Sequence, residues 1–228
     1  MSSNLTDLYG GFLIVTPNRI QMRPLNLITA LGLIMLSFSV QAQTIVGSKH
    51  DFSTQAWNTS VGQQICIVCH TPHNASTVVT NAPLWNHASS STTFTLYASS
   101  TLNATIAQPD ASSKLCLSCH DGTVALENFG TTTTGTHFIT SVYNLGSGLG
   151  NDHPVSFTYD AALATADGGL KNPATTASGL GGTIAQNMLF GGKMQCASCH
   201  DVHNSGGQAS LLLKANTASA LCLTCHSK

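Results

Sequence analysis

The sequence predicts a mostly irregular, loop-rich chain with a few short α-helices, wrapped around something other than its own side chains. Three observations predict it. Charged residues are 7% of the 228 residues and aromatic ones 6%, where ~25% charge is usual, so bulky matter for a core is scarce. Gly, Ser, Thr, Asn and Ala dominate. All eight cysteines fall into four CxxC pairs spread along the chain, each followed at once by a histidine.

The elements follow in chain order. From Met22 the sequence reads MRPLNLITALGLIMLSFSVQAQ. Arg23 supplies a positive start, residues 27–38 a short apolar run, and Val40 and Ala42 the small residues of a cleavage site. This predicts a signal peptide over 22–42, a mature start at Gln43, and a misassigned N-terminal extension over 1–21. A membrane anchor is the alternative, but the apolar run falls well short of the ~20 residues a span needs. The stretches SSKLCLSCH and TASALCLTCH each place a Ser or Thr cap before an apolar i, i+3 pattern and predict short helices. DAALATAD, residues 160–167, predicts another, stopped by Gly168 and Gly169. Residues 75–110 and 171–192 read as loops, with a short strand at 94–97. Residues 131–151, rich in Thr and Gly, predict a flexible connector.

The four motifs are CIVCH (Cys66, Cys69, His70), CLSCH (Cys116, Cys119, His120), CASCH (Cys196, Cys199, His200) and CLTCH (Cys222, Cys225, His226). CxxCH reads as a c-type haem attachment site. Thiols at i and i+3 reach the two vinyl groups of one porphyrin, and the following imidazole is aimed at its iron. Four-cysteine zinc sites and exported disulfides also use paired cysteines, but neither needs a histidine after every pair. Four covalently attached haems c are expected, with His70, His120, His200 and His226 as proximal ligands. They also supply the interior that the composition lacks.

A sixth ligand for each iron comes from elsewhere. CHTPHN and CHDVHN each carry a second histidine three residues after the first. His73 cannot serve the iron of His70: axial ligands lie on opposite porphyrin faces, whereas residues three apart on a turn lie on one side, ~5–6 Å apart. The same holds for His203 and His200. Each doubled histidine therefore predicts two closely packed haems. The order histidine, CxxCHxxHN, CxxCH occurs twice, first from His50 and again from His153, as an internal duplication. It divides the mature chain into a dihaem module at 43–130, the connector 131–151, and a second dihaem module at 152–228. Matching positions nominate His50, His73, His153 and His203 as distal ligands. His87, in PLWNH, is a possible distal ligand that would displace one of them, and His137 in the connector is a weaker candidate. Met188 and Met194 read as packing residues.

With KHDFS, CHTPHN, PLWNH and NDHPVSF, the two modules resemble the tetrahaem c-type cytochromes of metal-reducing microbes, a group in which some members polymerise into extracellular haem filaments. The resemblance implies electron transfer through bis-histidine haems, with other redox proteins or extracellular acceptors as partners. Filament subunit and soluble periplasmic shuttle both remain open. Few charges, His50 close to the predicted cleavage and His226 close to the C-terminus favour the filament, in which these two could complete each other across a subunit boundary. An extracellular, cell-surface or periplasmic location follows from the leader. An enzyme, such as a multihaem reductase, would need a vacant sixth site, and the mature stretch has no arginine to steer an anion. No basic patch exists for nucleic acid. A haem-bearing sensor would need an output domain, for which no segment is available.

Overall fold

Backbone without a side-chain period cannot sustain long helices or ladders, and the computed structural model is accordingly irregular over most of residues 45–227, the residues it describes. The expected leader at 22–42, the extension 1–21 and the predicted start at Gln43 lie outside them. Among the described residues no helix is long and apolar enough to cross a membrane.

Helix α1, Ala111–His120, follows Asp110 in extended conformation and carries the second CxxCH motif in its last turns. It buries Ser113, Leu115, Leu117 and Ser118. Helix α2, Ala161–Asp167, starts where Asp160 accepts from Leu163 N at 2.8 Å and ends at Gly168, whose φ of 67° closes a left-handed cap. Both had a sequence signal. Helix α3, Ile184–Asn187, did not: one turn, held by a Thr183–Gln186 capping box, is too short to show a helical period. Helix α4, Cys222–Cys225, is shorter than TASALCLTCH predicts. Ala218 and Ser219 take φ of 51° and 61° and break the segment, leaving a 3-10 turn ahead of α4.

The strand expected at 94–97 does not form. Thr95 makes an isolated bridge to Gly148 instead. The strands present are β1, Phe157–Thr158, and β2, Lys193–Met194, antiparallel with Phe157 opposite Met194. At two residues each they are below any pattern-based threshold. They close the main apolar cluster, where Phe157, Tyr159, Leu163, Ile184, Met188, Met194 and Leu221 pack around Cys225. Met188 and Met194 are thus packing residues, as expected. Tyr159 donates its buried hydroxyl to Lys171 O at 2.5 Å. Two smaller clusters centre on Trp85 with Val79 and Leu115, and on Leu117 with Phe94 and Leu149.

The connector 131–151 is tied down at its start. Glu127 accepts from Thr136 N at 2.6 Å, His137 N at 3.0 Å and His137 Nδ1 at 2.6 Å, while Leu126 N donates to His137 O at 2.7 Å. Burial works to raise the Glu127 pKa, but the N–H groups of Thr136 and His137 outweigh it and lower the pKa from 4.5 to about 2.

Two outcomes follow. Ile184 is fully buried, so Ile184→Ala should lower the unfolding free energy by about 3 kcal/mol in urea titrations, while Val46→Ala, at an exposed position, should leave the midpoint in place. A carboxyl ionising at about 2 when folded contributes stability that is complete above pH 4.5 and is lost as pH falls from 4.5 through 2. Glu127→Gln should flatten the acid limb of the stability curve in that window, as read by circular dichroism.

Candidate functional site

Each CxxCH motif forms a helical turn. His70 N donates to Cys66 O at 2.8 Å, His200 N to Cys196 O at 3.0 Å and His226 N to Cys222 O at 3.0 Å, while α1 holds the remaining motif. Residues i, i+3 and i+4 then share one face, so two thiols and an imidazole point the same way. All eight thiols are free of disulfides. Among the described residues no three His, Cys, Asp or Glu side chains converge on a point where a bare ion would sit.

A returning strand of backbone clasps the motif histidines. His70 bridges to Trp85, His200 to Leu212 and His226 to Leu170 in antiparallel fashion. The first two clasps match bond for bond. His70 donates from Nδ1 to Pro83 O at 2.5 Å, and His200 from Nδ1 to Ser210 O at 3.1 Å. Thr71 N meets Leu84 O at 2.9 Å, and Asp201 N meets Leu211 O at 2.7 Å. Asn86 N meets Cys69 O at 2.9 Å, and Leu213 N meets Cys199 O at 2.8 Å. Leu84 and Leu211 both take left-handed φ, 54° and 53°, as do Asn74 and Asn204 at 56° and 53°. His120 is held differently, with its Nδ1 on Tyr143 O at 2.8 Å and its carbonyl accepting from Leu145 N at 2.7 Å. An Nδ1–H given to a carbonyl fixes the tautomer and leaves Nε2 as the free lone pair, which is how a metal-binding imidazole is prepared.

The structure also brings histidines together in pairs. Ring centroids are 6.0 Å apart for His50 and His120, 6.2 Å for His70 and His203, and 6.3 Å for His153 and His226. His70 and His203 are nearly parallel, 14° apart. Two imidazoles that ligate one metal from opposite sides, each nitrogen ~2 Å from it, have centroids ~6 Å apart. His153 gives its Nδ1 to Pro154 O at 2.9 Å. His50 is different: its Nδ1 is buried with no hydrogen-bond partner. Burial, then the neighbouring His120 and His200, lower its pKa to about 4, so the ring stays in the neutral form that binds metals. The free thiols, prepared imidazoles and imidazole pairs fit covalently attached haem. His50 meets His120 of its own chain.

The remaining histidines separate into two kinds. His73 and His200 are exposed, and among the described residues they make no ring pair. His87 is buried, with Nδ1 2.8 Å from Ala88 O and Nε2 3.0 Å from Ala125 O. A neutral ring donates to one of these at a time, and both nitrogens face carbonyls rather than open space. Burial lowers its pKa, against the pull of the carbonyls and of Glu127. Its Nε2 also lies 3.6 Å from Cys119 Sγ. His137 is committed to Glu127. The clasp segments Pro83–Asn86 and Ser210–Leu213 carry no signal beyond an apolar residue after the turn, and sequence reasoning passed over their role.

The doubled CXXCH motif family matches residues 190–228, the stretch that holds the third and fourth motifs. That match indicates a multihaem c-type cytochrome and haem-based electron transfer. No curated protein matches the chain.

With both its nitrogens on carbonyls, His87 should be replaceable without loss of an axial ligand. His87→Phe should keep the low-spin absorption spectrum of the holoprotein unchanged while lowering its thermal midpoint. A new high-spin band would show instead that His87 binds iron.

Proposed function

We propose that this chain is a tetrahaem, bis-histidine electron carrier. The observation that carries the reading is the set of imidazole pairs at 6.0–6.3 Å, each joining a CxxCH histidine to a histidine distant in sequence. The residues divide the work. Cys66 and Cys69, Cys116 and Cys119, Cys196 and Cys199, and Cys222 and Cys225 would anchor one haem each. His120 with His50, His70 with His203, and His226 with His153 would hold three irons, and His200 with His73, the two left, the fourth. Bound haem iron supplies one-electron chemistry between its ferric and ferrous states. With two imidazoles on each iron no position would be open for a substrate, and paired histidine ligation would hold the potential below that of a His/Met pair.

In this assignment His203 of the second module completes a site of the first, and His73 returns the exchange. The carbonyls of Pro83, Tyr143, Ser210 and Pro154 orient the imidazoles, and the apolar clusters exclude water around Cys69, Cys199 and Cys225. The leader expected at 22–42 places the carrier outside the cytoplasmic membrane, where it would meet redox proteins or an extracellular acceptor, and where copies could also assemble into a filament. Electron microscopy of the mature protein from its native host separates these forms: uniform haem-containing fibres mean a polymer subunit, discrete monomers a diffusing shuttle.

Mass spectrometry of the exported protein should find four covalent haems; fewer would sink the tetrahaem reading. His203→Ala should convert one of four low-spin irons to a high-spin, five-coordinate site by absorption and paramagnetic resonance, and His50→Ala should do the same in isolated monomers. Unchanged spectra in either variant would remove that histidine from the ligand set.

A further inference from the structure

The second and third CxxCH motifs meet where the two modules join, and polar side chains make the joint. Ser113, wholly buried, sits one turn before Cys116 on α1. It donates from N and from Oγ to Gln195 Oε1, at 3.2 and 2.5 Å, and its Oγ accepts from Cys196 N at 3.0 Å. Ser156 Oγ donates to the same Gln195 oxygen at 3.2 Å and accepts from Asp110 N at 3.0 Å. Gln195 Nε2 donates to Asp110 Oδ1 at 2.8 Å, and Lys193 Nζ pairs with Asp110 Oδ2. Gln195 N donates to Ser198 Oγ at 2.9 Å. At the centre of this frame Cys116 and Cys196 are neighbours: the turn Cys196–Ser198 packs on α1, and Cys196 N is held on Ser113 Oγ.

The other neighbouring cysteines are surrounded differently. Cys69 packs with Val79, Trp85 and Leu115, and Cys199 and Cys225 pack in the main apolar cluster. Apolar contacts tolerate sliding, because their energy follows area and not direction. A buried amide whose oxygen and nitrogen both find partners does not slide, since any shift leaves a polar atom unpaired at a cost of ~1–3 kcal/mol. A satisfied buried network specifies one arrangement. Here it joins residues more than eighty positions apart and fixes the backbone of Cys196 on the helix that carries Cys116.

We propose that Ser113, Gln195 and Asp110 are positioning residues that fix the third CxxCH motif against α1 and, through it, the spacing of the two haems that Cys116 and Cys196 would carry. Each sulfur would be the attachment point of one porphyrin, so the placement of one motif on the other would set how near the two porphyrins lie. Neighbouring centres that interact titrate as a pair with separated apparent values, and the separation reports their spacing.

This inference rests on the haem reading and is tested separately from it. Wild type is first checked for covalent haem by mass; a chain without haem would overturn the functional reading itself. Gln195→Leu, Ser113→Ala and Ser113→Thr are then compared by haem content, unfolding midpoint and spectroelectrochemical titration. Gln195→Leu and Ser113→Ala should keep the wild-type haem content but draw two of the apparent potentials toward each other. Ser113→Thr, which keeps the hydroxyl, should restore the wild-type titration. If Gln195→Leu does not load haem, Ser113→Ala decides, because it leaves Gln195 paired with Asp110 and Ser156. A lowered unfolding midpoint with an unchanged titration in the haem-loaded variants would mean a structural role only and would overturn the proposal.

Discussion

An imidazole has two nitrogens, and at three of the CxxCH histidines a backbone carbonyl takes one of them. Pro83 O, Tyr143 O and Ser210 O hold Nδ1 of His70, His120 and His200, and the rest of the architecture is arranged to place those carbonyls. A carbonyl can reach a motif histidine only if the chain returns past it, which accounts for the bridges of His70 to Trp85 and of His200 to Leu212. The return needs a sharp reversal, and Leu84 and Leu211 supply it in left-handed conformation. A leucine there is unfavourable for its Cβ, so the clasp is held by its surroundings and not by local preference. Loops that look unstructured by composition are in this sense the most tightly specified parts of the molecule.

The same logic explains what a reader of the sequence can and cannot see. The CxxCH motifs and doubled histidines are legible because covalent chemistry demands particular side chains at particular spacings. Helix α2 is legible because the Asp160 carboxylate caps its start and Gly168, with no Cβ, takes the left-handed cap at its end. The clasps are not legible: backbone atoms make them, and PLWN and SLLL share only apolar character. The duplication is visible at the motifs and becomes visible at the clasps only when hydrogen bonds are laid side by side. The strand expected at 94–97 failed for a related reason. Phe94 faces Leu117 and Leu149, and one bridge at Thr95 is all the partner offers. At Ser113 the signal was ambiguous: serine ahead of an apolar run reads as a cap, whereas this serine faces Gln195.

Small polar residues recur inside this protein to an unusual degree. Asn58, Ser113, Ser118, Ser178 and Ser198 have no solvent exposure. In a chain short of bulky side chains, buried hydroxyls and amides replace area with direction, and each must be paired. Asn58 donates from Nδ2 to Phe52 O and Gln64 O, closing the loop after His50, while its buried Oδ1 has no partner. Ser118 returns to Lys114 O and accepts from Ser90 N. Such an interior is intolerant of volume-neutral replacement, since valine for serine fills the space and orphans the partner.

The near-parallel rings of His70 and His203 set a condition on how the molecule is made. A ribosome delivers the first motif early and the second module last. Under the proposed pairing, an iron beside His70 would keep one imidazole only until the second module brings His203 to it. During that interval the open face is a place where oxygen, a stray ligand or the wrong histidine could bind. If His70 and His203 share one iron, as proposed, the first site would be complete only once the second module is in place, and a product lacking that module would carry an iron with one imidazole.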